Sequence, residues 1–337
     1  MSNSLFGDID LTEVIGNETI RQRFQAGAEQ ITGEEVVGGE PPAVDGEPIE
    51  DWHDLDAVRE DPDADYVLVN DLDEDTDGYD QVVESTENDG NGFDPIGSGF
   101  SSDPFGGVFV GDGHAISDLS INPEQSDLGL FAETTENAEI RNVNIQNISV
   151  TGGTFNVGGL VGENNGSIEN SSVAGEIDGD ASDVGGLVGV NNDNGSIESS
   201  YVIGNVGGDS FSVDIGGLVG ENDGTITRSY AAGGVDSDGT SADIGGLVGE
   251  NDGTVEDSYW DTEATEQDSS SGGEGLTTAE MQGETAPENM DDLDFEDTWE
   301  AVVSGESIPP TPDEDGYPIL QDIDAEPQLE AQGLIDD

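Results

Sequence analysis

Four acidic residues form the clearest chemical pattern in this sequence: Asp73-x-Asp75-x-Asp77-Gly78, with Glu84 six residues after the glycine. Alternating carboxylates at this spacing wrap Ca²⁺, the glycine permits the sharp turn, and the last carboxylate completes the oxygen shell. Asp73, Asp75, Asp77 and Glu84 are therefore the candidate metal ligands. Two features favour a solvated acidic loop instead. The preceding Tyr66-Val-Leu-Val69 reads as a strand rather than a helix, and Asp80 stands where an apolar residue is usual. A second chemical row is aromatic. Tyr201, Tyr230 and Tyr259 each follow a repeated serine, and Trp260 follows Tyr259. Rings aligned at one step would stack on sugar faces, because tyrosine joins an apolar body to a polar tip. The alternative is that they fill or flank the fold.

Catalysis is not expected. Cysteine is absent, so thiolate nucleophiles, thiolate metal sites and disulfides are excluded. A carboxylate pair would serve a glycoside hydrolase, but 79 acidic residues point to no particular pair. A polysaccharide lyase needs a base and neutralisation of the uronate. The chain has no lysine, and Arg141 and Arg228 are the basic residues within the repeats. His53 and His114 are far apart, and His114 sits in a Gly-Asp-Gly-His turn. No catalytic or cofactor-binding residue is assigned; a β-helical glycan-degrading enzyme is the least favoured reading.

The formal net charge of −74, from 79 acidic against 5 basic residues, repels nucleic-acid phosphates and anionic membrane surfaces. No apolar stretch approaches the ~18 residues of a membrane span. Such acidity arises either from disorder or from adaptation to molar salt, where the Debye length shrinks to roughly 3 Å and self-repulsion is screened. The acidic residues are spread between regularly spaced Gly, Val, Ile and Leu, not gathered in blocks, which favours a folded halophilic protein. The first residues, Met1–Asp10, carry no basic residue and no apolar run of signal-peptide length.

What must position any site is a repeat. Gly-Gly-Leu-Val-Gly starts at Gly158, Gly185, Gly216 and Gly245, and each copy is followed by an asparagine: Asn164, Asn191, Asn222 and Asn251. The next glycines, Gly166, Gly195, Gly224 and Gly253, are each 29 residues apart, whereas the Leu-Val blocks step by 27, 31 and 29. A fixed period of this size means one supersecondary unit stacked on copies of itself. About 29 residues suit three short strands per coil. The fold class is therefore all-β, a right-handed parallel β-helix of about six coils, roughly 30 Å long at 4.8 Å per coil. The glycines are expected at corners with positive φ or at close backbone approaches. The asparagines are expected to tolerate the left-handed region and to stack into a ladder. Ile168, Ile197, Ile226 and Val255 should form a buried stack, and Ser171, Ser200, Ser229 and Ser258 a parallel row.

Five regions follow. Residues 1–50 read as an N-terminal docking segment with a Gly/Pro-rich linker over residues 38–48. Residues 51–125 form an N-terminal cap and irregular first coils, with a short helix carrying Trp52, Leu55 and Val58 on one face. The repeat helix covers 126–262, a C-terminal cap 263–320 and an acidic tail 321–337.

These repeats resemble the GLUG motif, named for its Gly-Leu-any-Gly core. The flanks agree: Trp52 through Asp73, Phe93-Asp-Pro-Ile-Gly97, Gly111-Asp-Gly-His-Ala-Ile116, Ser258-Tyr-Trp-Asp261, Gly275 through Gly283, and Gly316-Tyr-Pro-Ile-Leu320. The resemblance covers residues 51–320. It implies a right-handed β-helix of large extracellular adhesin-like proteins and no conserved active site. Such proteins usually carry a secretion signal, and none is read here. The expected function is therefore a non-enzymatic structural or attachment protein of a halophilic particle: a tail-fibre, receptor-binding or decoration protein of a haloarchaeal tailed virus, located in the virion. The alternative is a haloarchaeal cell-surface adhesin. Expected partners are other structural proteins through residues 1–50, a host-surface glycan or glycoprotein, and further copies of the chain as a trimer.

One measurement checks the reading of the charge. Dilution from molar to low salt should unfold the protein, seen as loss of its circular dichroism; a spectrum unchanged after desalting would refute adaptation to salt.

Overall fold

The computed structural model describes residues 46–84, 90–98, 103–123, 126–208, 214–237, 243–304, 312 and 314–335. All belong to one unit, Val44–Asp337. Residues 1–45, nearly all of the segment read as a docking element, lie outside the described residues.

The repeat is a parallel β-solenoid. Each complete coil contributes four short strands rather than three, as in Asp183–Gly185, Val188–Asn191, Ser196–Glu198 and Tyr201–Gly208. Among the described residues five coils carry all four, beginning at Asp127, Asn156, Asp183, Asp214 and Asp243. Each strand pairs in register with its equivalent in the neighbouring coil, giving two five-stranded, one eight-stranded and one nine-stranded sheet. The sequence Asp-Val-Gly-Gly-Leu-Val-Gly looks like one apolar run. Its glycine pair breaks it into two strands, so each coil gains a strand over the expected three. The uneven step of the Leu-Val blocks is absorbed in the loops. Asn191 and Gly195 are separated by three residues where Asn164 and Gly166 are separated by one.

The repeat glycines work by close approach. None of those in the Gly-Gly-Leu-Val-Gly copies has positive φ. A Cβ on Gly185 would lie 2.0 Å from the Val188 carbonyl oxygen and 2.8 Å from Gly220 N in the next coil. The left-handed corner falls instead on Asn142, Asn170, Ser199, Arg228 and Asp257, with φ of 54°, 47°, 48°, 49° and 52°. This corrects the expectation that the asparagine after Leu-Val-Gly takes that conformation. A left-handed L-residue costs roughly 1–2 kcal/mol. Here it is held by coil-to-coil bonds: Asn170 N donates to Glu198 O, Ser199 N to Thr227 O and Arg228 N to Glu256 O, at 3.1, 3.1 and 3.3 Å.

The repeat asparagines form a ladder inside the solenoid. Asn164 Nδ2 donates to Asn191 Oδ1 at 2.8 Å, Asn191 Nδ2 to Asn222 Oδ1 at 2.8 Å and Asn222 Nδ2 to Asn251 Oδ1 at 2.6 Å. Thr134 Oγ1 starts the row by donating to Asn164 Oδ1 at 2.9 Å. Asn164, Asn191 and Asn222 are fully buried, so each amide must find partners within the protein. The serine row joins coils differently. Each Oγ donates to the carbonyl two residues earlier and accepts the backbone N–H of the coil before it, as Ser200 Oγ does from Ser171 N at 3.2 Å. Ile140, Ile168, Ile197 and Ile226 stack in register and are buried; Val255 ends the row half-buried.

Both ends of the repeat are covered. The helix Trp52–Ala57 is capped by Asp51, whose side chain accepts from His53 N and Asp54 N. Its Trp52 and Leu55, with the adjacent Val58, are fully buried. The expected linker stops short of residue 48, because Glu47–Ile49 already pairs with Tyr66–Leu68 as the outermost strand of the eight-stranded sheet. The acidic tail is corrected as well: Ala325–Ala331 is a helix, with Gln328 and Leu329 fully buried. The C-terminal segment does not simply close the last coil but runs back along the nine-stranded sheet. Tyr259, Tyr230 and Tyr201 donate in turn to Asp292, Pro318 O and Gln328, and Asp324 N reaches Gly113 O.

The asparagine ladder yields a stability prediction. Asn191→Ala removes the middle rung and strands buried polar atoms on both neighbours, each worth about 1–3 kcal/mol. Chemical denaturation in molar salt should show a loss of roughly 2–4 kcal/mol. Asn251→Ala, at the half-exposed end of the row, should lose less than about 1 kcal/mol.

Candidate functional site

The aromatic row is in register, as Tyr201, Tyr230 and Tyr259 pair in successive strands. Tyr201 and Tyr230 stack with ring centroids 5.0 Å apart and an interplanar angle of 3°. Their faces are not open to sugars. All three are buried, and Trp299 lies 5.9 Å from Tyr201 and 5.5 Å from Tyr230. Burial pushes the Tyr201 and Tyr230 phenols above their ordinary range. Trp260 points the other way, into the solenoid core, where its indole fills the space beside Gly246. The expected glycan contact by Tyr201, Tyr230, Tyr259 and Trp260 is therefore corrected: three of them bind the C-terminal segment and the fourth fills the last coil.

The acidic loop is also occupied with structure. Asp73 Oδ1 accepts from Asp75 N at 3.0 Å and from Thr76 Oγ1 at 2.8 Å. The carbonyls of Asp73 and Asp77 accept from Trp52 Nε1 and Trp52 N at 2.9 and 3.1 Å. A short helix, Tyr79–Val82, then separates Glu84 from the three aspartates. Asp73, Asp75, Asp77 and Glu84 do not converge as one ligand set; the loop clasps the cap tryptophan. His114 Nδ1 lies 3.0 Å from Asp71 Oδ1, and His53 is exposed on the cap helix.

The loop nevertheless borders a cleft of about 940 Å³ between the solenoid flank and the C-terminal helix, lined among others by Asp73, Gln146, Glu176, Asn205 and Glu330. Its floor is low because Gly175, Gly204 and Gly233 stack in successive coils. A Cβ on Gly204 would lie 2.3 Å from the Gly175 carbonyl oxygen. Gln146 Nε2 is buried at the cleft without a hydrogen-bond partner. Polar donors and acceptors on a side-chain-free floor suit a polar, elongated ligand. Sequence reading missed this cleft because its glycines lie outside the Gly-Gly-Leu-Val-Gly block.

On another face, two acidic rows run beside each other. One contains Asp127, Asn156, Asp183, Asp214 and Asp243; the other contains Glu133, Glu163, Val190, Glu221 and Glu250. Burial, reinforced by Glu221 and Asp214, pushes the Asp183 carboxyl up to about 7. Burial likewise raises Asp127, Glu133, Asp214 and Glu221. A carboxyl raised in this way keeps its proton longer in the folded state. Its contribution is fully present below the unfolded value and is lost as pH rises through the folded one. Stability in chelator-treated molar-salt buffer should thus fall between pH about 4 and about 7. Asp183→Asn should flatten that window in denaturation measured across pH; an unaltered profile would refute the burial account.

Comparison with known proteins agrees with this architecture. Residues 153–178 match the GLUG motif family. Over 90 residues, 26% of this chain, the sequence is 38% identical to halomucin of Haloquadratum walsbyi (strain DSM 16790 / HBSQ001) and spans about 1% of that protein's length. The fold is similar to a crystal structure of a candidate immunoglobulin A1 protease from Bacteroides ovatus. That match has a TM-score of 0.57 and 19% identity, and covers 82% of this chain and 92% of the other. At that identity the likeness concerns the fold alone. The chain thus carries a GLUG motif within a parallel β-solenoid, and part of its sequence is similar to a haloarchaeal protein.

Proposed function

We propose that this chain is a non-enzymatic, adhesin-like module that works at the surface of a halophilic cell. The observation that carries the reading is the use of the repeated polar residues. The asparagines, serines and tyrosines are spent on stacking coils and holding the C-terminal segment, which leaves the loops and the glycine-floored cleft as the variable surface. Similarity to halomucin supports placement at a haloarchaeal surface. The charge of −74 supports work in molar salt. The ligand class that suits the cleft is a surface glycan or glycoprotein.

A virion role, as tail fibre, receptor-binding or decoration protein docked through residues 1–50, is the finer alternative. Mass spectrometry of purified cell envelopes against purified virus particles separates the two. Enrichment in envelopes is expected; enrichment in particles would move the protein to the virion. Cell-binding assays in molar salt test the cleft. Asn205→Trp should lower binding at least roughly tenfold by filling the cleft while leaving circular dichroism unchanged. Undiminished binding would remove the cleft from the reading.

A further inference from the structure

We propose that Asp183, Asp214 and Glu221 form a Ca²⁺ site between adjacent coils of the solenoid. One oxygen from each of the three carboxylates lies within 4.8 Å of the others. That is the widest separation two oxygens can have when both sit about 2.4 Å from one ion. Asp214 is more than nine-tenths buried, Asp183 stands at the margin of burial at 9% exposed, and Glu221 is half-buried and forms the lip towards solvent. Asp214 Oδ1 is buried and meets no N–H or hydroxyl donor; a hydrogen bond between the Asp214 and Asp183 carboxyls requires a proton on one of them. Negative charge placed so deep requires a positive partner or a proton.

The same chain shows what the equivalent places look like when the protein supplies its own neutralisation. One step along the aspartate row, Asn156 replaces a carboxylate, and its Nδ2 donates to Asp127 Oδ1 at 2.8 Å. In the glutamate row Val190 interrupts the charge, and Asn192 Nδ2 donates to Glu163 Oε1 at 2.7 Å. Val190 borders Glu221 in the neighbouring coil, but Asp183 and Asp214 pair directly, and among the described residues no side-chain amide bonds Asp183, Asp214 or Glu221. Among the described residues the ion pairs involve Arg59, His114 and Arg228, and none of them reaches this cluster. Three carboxylates offer as many as six oxygens in an irregular set, which suits the large, flexible shell of Ca²⁺ better than the strict octahedron of Mg²⁺. An ion here would bridge two coils and stiffen the solenoid without taking part in ligand binding.

Equilibrium dialysis of the full chain against Ca²⁺ in molar KCl, after chelator treatment, tests the site. Wild type should show one saturable site above the diffuse association expected of its acidic surface. Asp214→Asn should weaken that site by at least the roughly tenfold that loss of even an outer-shell partner causes. Asparagine already occupies this row at Asn156, so the variant should fold, as circular dichroism would confirm. Glu139→Gln, which removes the same charge from an exposed position, should leave the site intact, and Mg²⁺ should compete poorly. Absence of a saturable site in wild type, equal loss in the two variants, or preference for Mg²⁺ would overturn the proposal. A proton shared by Asp183 and Asp214 would then explain the cluster.

Discussion

The structure depends on coil-to-coil satisfaction of buried polar groups. In a parallel solenoid the backbone leaves regular pairing at every corner, and the freed N–H and C=O groups are costly to bury unless they find partners. Here each corner is completed by the coil above or below. The asparagine amides bond along the stack, the serine hydroxyls bridge one coil's N–H to the next coil's curve, and the left-handed residues donate to the following carbonyl. No coil can close its own account, so the coils stand or fall together with their neighbours.

That dependence explains the glycines and the ends. Successive backbones approach so closely that a single Cβ at Gly186, Gly217 or Gly224 would strike a carbonyl oxygen of the neighbouring coil. The end coils lack a neighbour on one side. At the start, the Trp52–Ala57 helix and the 73–78 loop close the core, with Phe105, Phe109 and Phe131 packed at ring distances of 4.8 to 6.4 Å just inside. At the other end Trp260 turns inward, while the chain doubles back over the tyrosine row. That returning segment ties the last coil to earlier ones through Tyr201 and Gln328, residues 127 positions apart.

Charge is arranged around this frame. Arg59 bonds Asp56 and the carbonyl of Asp94 and lies 5.4 Å from the Phe93 ring centre. Arg228 pairs with Glu198 of the preceding coil. Among the described residues most carboxylates are at least partly exposed to solvent, where salt screens them. The paired acidic rows differ, because in-register stacking brings Asp127, Glu133, Asp183, Asp214 and Glu221 into partial burial beside like charges. In them the stacking that stabilises the backbone works against the side chains.

The sequence by itself determined the solenoid. A residue that must meet its own equivalent in the next coil recurs at a fixed step, so Ile168, Asn191 and Ser200 announced their stacks without coordinates. It also made the cap helix legible, through the apolar face of Trp52, Leu55 and Val58. The fourth strand stayed hidden because Val184 and Val188 read as one apolar run across Gly185-Gly186. Only the tertiary structure decided the fate of the tyrosines, since their cover, Trp299, Pro318 and Gln328, lies far along the chain in a segment without the repeat. The cleft and the Asp183–Asp214–Glu221 cluster were settled there too. Among 79 acidic residues, sequence spacing cannot say which carboxylates share a buried space; register between coils brings 183 beside 214 and 221.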